Sequence, residues 1–193
     1  MKKTGILILA IAFISMSFNN PIKPVEKYNV DITESTISWK GYKPTGSHNG
    51  FINLTSGDLE LVEGAIKGGT FTVDMATIKD ADGSGKLERH LKSEDFFDIE
   101  AHTTSKFVIT NSELKDGKTL VTGDITIKGI TKQIMFSATV TSTDQTVTLT
   151  SETFQINRAD FNIKYKSKTF FNNLKEKFVN DDFDLQVTIV ATL

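Results

Sequence analysis

From about residue 28 onward, apolar and polar residues alternate with a period of two. Phe71, Val73 and Met75 alternate with Thr70, Thr72 and Asp74, and Ile125 and Ile127 with Asp124, Thr126 and Lys128. Ile134, Phe136, Ala138 and Val140 continue the pattern, followed by Val147 and Leu149, Phe154 and Ile156, then Phe161, Ile163 and Tyr165. The last run is the clearest, with Phe183, Leu185, Val187, Ile189, Ala191 and Leu193 on one parity. Such alternation predicts strands with one buried and one wet face. The threonine-rich polar partners suit strands better than helices. Ser56-Gly57-Asp58, Glu63-Gly64, Gly68-Gly69, Asp116-Gly117-Lys118 and Lys128-Gly129 supply turns between them. Many short strands at regular spacing predict a mainly β fold, a sandwich or a barrel.

Two stretches leave the pattern. Ser84 to Phe97 carries Leu87, Leu91 and Asp95 at four-residue spacing behind a capping serine, which predicts a short helix. Thr169 to Phe178 carries Phe170, Phe171, Leu174 and Phe178 and also reads as helical. No repeat or internal boundary divides residues 28–193, which form one expected domain.

The beginning of the chain has a different character. Lys2 and Lys3 precede an apolar run from Gly5 to Phe13, and Ser15-Met16-Ser17 offers small residues at alternate positions. This is the layout of a secretory signal peptide over residues 1–17, cleaved after Ser17. The run is shorter than the roughly 20 residues of a spanning helix, and no later segment predicts one. Residues 18–27 form an extended, proline-containing lead-in. The expected location is the periplasm or the exterior.

Composition narrows the chemistry. The 193 residues include no cysteine, which excludes disulfides, thiolate metal sites and thiol nucleophiles. Lys and Arg number 22 against 24 Asp and Glu, so no basic field is present for nucleic acid. Phenylalanine occurs 14 times, against one Trp and three Tyr. Phe brings large apolar area without a polar handle. With one apolar face per strand, the interior candidates are Phe51 or Ile52, Phe71, Val73, Phe107 or Val108, Phe136, Phe154, Ile156, Phe161, Phe183 and Leu185. Periodicity alone favours a filled core, since apolar stripes are usually core.

Other motifs are weaker. Asp80-Ala81-Asp82-Gly83-Ser84-Gly85-Lys86-Leu87 resembles the start of a calcium loop, yet Leu91 stands where the bidentate glutamate belongs. An Asp/Gly-rich turn into a helix is the preferred reading. His48, His90 and His102 show no metal-ligand spacing. Asp95 and Asp98 would share a helix face as a solvated helix end. Lys164, Lys166 and Lys168 read as a solvated strand edge. No Gly-x-Ser-x-Gly elbow is present, and no catalytic residue or cofactor is expected.

Several longer segments carry a resemblance. Gly46-Ser47-His48-Asn49-Gly50, Gly69-Thr70-Phe71-Thr72-Val73-Asp74-Met75, and His90-Leu91-Lys92-Ser93-Glu94-Asp95-Phe96-Phe97-Asp98 are similar to the YceI-like family. So are Gly123 to Lys132 (GDITIKGITK) and Asn157-Arg158-Ala159-Asp160-Phe161. The resemblance implies an exported, lipocalin-like antiparallel β-barrel with one or two short helices. It implies a non-catalytic interior that holds a long isoprenoid, quinone-like or other amphiphilic lipid. It turns the interior candidates into a cavity lining and makes His48, Asn49, Arg158 and Asp160 the polar rim candidates. An enzyme acting on such a lipid, or a cavity-free protein working by surface contacts, are the alternatives, and a homodimer is compatible with either. The segment KTFFNNLKEKFVNDDF before the last strand is longer than the family's usual connection.

Overall fold

The computed structural model describes residues 23–193. The expected signal peptide and the first part of the lead-in lie outside the described residues. Ten strands form one sheet in which every pairing is antiparallel. They are β1 (Glu26–Val30), β2 (Thr36–Lys43), β3 (Gly46–Val62), β4 (Ala65–Asp80), β5 (Thr104–Lys115), β6 (Lys118–Ile127), β7 (Ile130–Ser142), β8 (Thr146–Ser151), β9 (Phe154–Asn157) and β10 (Asp182–Thr192). One helix, α1 (Gly85–Lys92), follows β4.

From β2 to β8 each strand pairs with the next, and β10 closes the ring between β8 and β2. The ring has eight positions because two of them are each filled by two segments. β8 and β9 pair with successive parts of β10, and β1 fills the gap between β10 and β3 beyond the end of β2. Closure by β10 joins the two ends of the sheet, while β9 pairs only with β10 and residues 130–137 of β7 pair only with β6.

The alternation of the sequence becomes inside and outside of this ring, with interruptions. On β3 the buried residues are Ile52 and Leu54, then Leu59 and Leu61. Parity switches because the register against β4 slips between Leu54 and Ser56. An extra residue in one strand of a pair rotates everything beyond it to the opposite face. β4 switches twice in the same way, from Ile66 to Phe71, Val73 and Met75, then to Ile78 and Asp80.

The two ends of the barrel differ. At the end of the β3–β4 hairpin, Tyr28, Leu59, Leu61, Ile66, Val121, Ala138, Val147 and Ala191 are buried and fill the interior. The opposite end is covered by α1, the turns over 93–101 and the long segment 158–181. Ser84 caps α1, its hydroxyl accepting the Leu87 N–H. The helix is shorter than expected: the chain leaves it at Ser93, and Asp98 has φ of 50°, so Asp95 and Asp98 share no helix face. Among the described residues no helix is long and apolar enough to cross a membrane.

The segment 158–181 corrects two further expectations. Phe161, Ile163 and Tyr165 alternate without forming a strand. Arg158–Phe161 is one 3-10 turn, and Asn162 and Lys166 take left-handed φ of 58° and 47°. Lys164, Lys166 and Lys168 therefore sit on turns and do not guard a strand edge. Over 169–178 the only helical piece is the 3-10 turn Lys175–Lys177, because Lys175 has φ of 49° and interrupts any longer helix.

Candidate functional site

Between the filled end and the covered end lies a cavity of about 640 Å³. Its wall is built by inward side chains of every ring position. Ile37 and Trp39 come from β2, Ile52 and Leu54 from β3, and Phe71, Val73 and Met75 from β4. Phe107 and Ile109 come from β5, Ile125 from β6, Phe136 from β7, Leu149 and Phe154 from β8 and β9, and Phe183, Leu185 and Val187 from β10. Aromatic rings form a band across adjacent strands. Phe136 stacks on Phe154 at 4.5 Å and meets Phe107 at 5.7 Å, and Phe107 stacks on Phe71 at 6.3 Å.

The cover adds Leu87, His90 and Leu91 from α1, with Phe96, Phe97 and Tyr165. The His90 ring lies edge-on to Tyr165 at 4.4 Å and to Phe96 at 5.3 Å. One hydrogen bond ties the cover to the barrel, Asn180 N–H donating to the Tyr42 carbonyl at 2.9 Å, and another closes the cover on itself, Val179 N–H donating to the Lys166 carbonyl at 2.9 Å. Tyr42 donates its hydroxyl to Asp184, and that carboxylate, with partial burial, pushes the Tyr42 pKa up.

Seven of the ten interior candidates stand on this wall: Phe71, Val73, Phe107, Phe136, Phe154, Phe183 and Leu185. The other three do not. Phe51 points outward and is 53% exposed, because the register of β3 turns Ile52 inward instead. Ile156 and Phe161 are buried but lie off the wall, Phe161 because it ends the 3-10 turn. Two of the four rim candidates, His48 and Arg158, reach the cavity; Asn49 and Asp160 are exposed and do not.

Arg158 is not a free rim charge. It is 3% exposed, and its guanidinium donates to three backbone carbonyls, those of Asn180, Ile163 and Val179, each at 3.0 Å. It pairs with Asp181 at 3.1 Å, not with Asp160. Burial draws its pKa down and Asp181 draws it back up. Arg158 is thus a clamp that holds the start and end of the cover together.

Sequence reasoning missed two polar groups of the wall. Trp39 and His90 both line the cavity, and neither Trp39 Nε1 nor His90 Nε2 has a hydrogen-bond partner. Trp39 was legible as the apolar-parity partner of Ile37 in TISWKGY. His90 was not, since its exposure depends on where segment 158–181 packs. Ser105, also on the wall, is satisfied by Met75 Sδ at 3.0 Å.

Comparisons with known proteins agree with this architecture. BcnA from Burkholderia cenocepacia superposes with a TM-score of 0.71 at 22% identity, over 84% of this chain and 99% of that one. A polyisoprenoid binding domain from Saccharophagus degradans, implicated in plant cell wall breakdown, gives 0.62 at 12% identity over 86% and 97%. The Campylobacter jejuni YceI protein gives 0.54 at 16% identity over 100% and 99%. At these identities the likeness is one of fold. A UPF0312 protein of Pseudomonas putida is 36% identical over 69 residues, 35% of this chain and 36% of the relative. The chain thus spans about a third of the length of the curated relatives it matches. The model of the YceI-like domain matches residues 28–191, nearly the whole barrel, and the chain belongs to the YceI-like family.

Proposed function

We propose that this protein is an exported, non-catalytic carrier or reservoir that holds one isoprenoid-type or other long-chain amphiphile inside its barrel. The observation that carries the reading is the apolar cavity of about 640 Å³, within the range of small-molecule sites. Burial of a chain supplies about 0.8 kcal/mol per methylene. Association costs at least about 4 kcal/mol, and more in most estimates. A short prenyl group therefore gains little, and a chain with ten or more buried carbons gains enough to be retained. Trp39 Nε1 and His90 Nε2 are suited to orient a polar head by hydrogen bonding, because both lack partners within the protein. Among the described residues no aspartate or glutamate lines the wall, and the histidines there, His48 and His90, are read as contacts for a polar head.

The test is direct. The mature protein is purified from the periplasm without detergent, denatured, extracted with organic solvent and examined by mass spectrometry. The expected result is one long-chain lipid per protein. No bound lipid, together with no uptake of a panel of prenyl alcohols and quinones, overturns the proposal.

A further inference from the structure

We propose that the rim of the barrel carries a binding site for one divalent transition-metal cation of the zinc class, formed by His48, Asp80 and Asp82. The site is separate from the lipid reading and does not depend on it. It begins with two unexplained atoms. His48 Nδ1 and Asp80 Oδ1 are buried and have no hydrogen-bond partner, and they face one another at 3.4 Å. The Asp80 side chain is fully buried. An unpartnered buried carboxylate oxygen is costly.

A hydrogen bond between a histidine and a carboxylate runs at about 2.7–2.9 Å when charge-assisted, well short of this separation. A tetrahedral cation with ligand bonds of about 2.1 Å holds its ligands about 3.4 Å apart. The pair is already at that spacing. Asp82, exposed and free to rotate, supplies the third donor, and all three ligand atoms lie within 4.8 Å of one another. A neutral imidazole and two carboxylates carry two negative charges, which one divalent cation cancels.

The fold holds this arrangement in place. Asp80 Oδ2 accepts the Ser84 N–H at 3.0 Å, which fixes the carboxylate and leaves Oδ1 facing His48. Ala81 N–H donates to the Asn49 carbonyl at 2.8 Å, tying the turn after β4 to the start of β3. Gly50 permits the approach: a Cβ there would lie 1.8 Å from the Lys79 carbonyl oxygen. The calcium-like spelling of residues 80–87 thus has a different meaning. Ser84 is engaged as a helix cap, and Leu91 on α1 brings no carboxylate. The added ligand is a nitrogen from the neighbouring strand β3, and nitrogen suits zinc-class ions where calcium takes oxygen alone. Because His48 and Ser84 also line the cavity, a bound cation clips one side of the mouth together.

The test uses the mature protein stripped with EDTA. Zinc chloride is titrated by calorimetry, and thermal unfolding is followed with and without zinc. The expected result is one zinc per chain and a raised midpoint, with no shift from calcium at the same concentration. His48→Gln and Asp82→Asn should each weaken zinc binding at least tenfold while leaving the metal-free midpoint unchanged. Cobalt(II) should give the intense visible absorption of a four-coordinate site in the parent and lose it in both variants. Absence of stoichiometric zinc binding overturns the proposal, as does binding that survives either substitution or a calcium response equal to that of zinc.

Discussion

The most informative perturbation is a matched pair of substitutions, Phe161→Ala and Phe136→Ala. Both phenylalanines are buried, yet only Phe136 faces the cavity. Phe161 is 1% exposed and packed on all sides, so its truncation opens a new void and should cost about 3–5 kcal/mol. Phe136 already lacks neighbours on its cavity side. What it loses is contact with Phe154 at 4.5 Å and Phe107 at 5.7 Å. Those two pairs are worth about 1–3 kcal/mol beyond area burial; because truncation only enlarges an existing space, the added cavity cost of Phe161 is absent, and the total should fall below that at Phe161. The assay is urea denaturation of delipidated protein, read by fluorescence of Trp39, the single tryptophan of the chain. That residue stands on the cavity wall, so the same signal also reports lipid uptake. Phe136→Ala should change uptake, and Phe161→Ala should change it little at urea concentrations where the variant is folded. Equal destabilisation by the two substitutions, with uptake unaffected by Phe136→Ala, would show a filled barrel in solution and refute the reasoning.

Two further outcomes are expected. Arg158→Met leaves three carbonyls without their donor and Asp181 without its ion-pair partner, so it should destabilise by about 3–5 kcal/mol in urea melts; Arg158→Met combined with Asp181→Asn should cost less than the sum of the two single changes. Acid should weaken the fold in a traceable way. Hydrogen bonds from the Thr33 hydroxyl and the backbone N–H groups of Thr33 and Glu34 hold Asp31 below the usual carboxylate range, and Lys79 does the same for Glu88. A lowered folded-state pKa contributes stability that is full above the unfolded value near 4 and fades as pH falls through the folded one. The stability gap between the parent and Asp31→Asn should therefore be constant from pH 7 to 5 and close below about pH 4, as measured by urea midpoints; a gap that widens in acid would reverse the sign of the argument.

Strand identity was written in the sequence because it is local. The alternation of Phe183, Leu185, Val187 and Ile189 needs only the pleat of one strand to become a buried face, and β10 carries that face to the cavity. The serine cap of α1 is equally local, one hydroxyl meeting one N–H three residues away. The resemblance carried by HLKSEDFFD and GDITIKGITK extended this to the whole barrel.

What stayed hidden depends on more than one segment at a time. Whether Phe51 or Ile52 faces inward depends on the register of β3 against its neighbours, which no run of residues displays. Phe161 alternates like a strand residue but sits on a 3-10 turn, because Asn162 takes a left-handed conformation that ends extended structure. Arg158 meets Asp181 and not the adjacent Asp160, since the cover folds back on itself. His48 meets Asp80 only because β3 and β4 pair across Gly50. The cavity is the most global property of all. Each strand presents the same apolar face to a filled barrel as to a hollow one. The difference is the volume enclosed by the whole ring less the volume of the side chains inside it, and only the closed tertiary structure sets the first of those quantities.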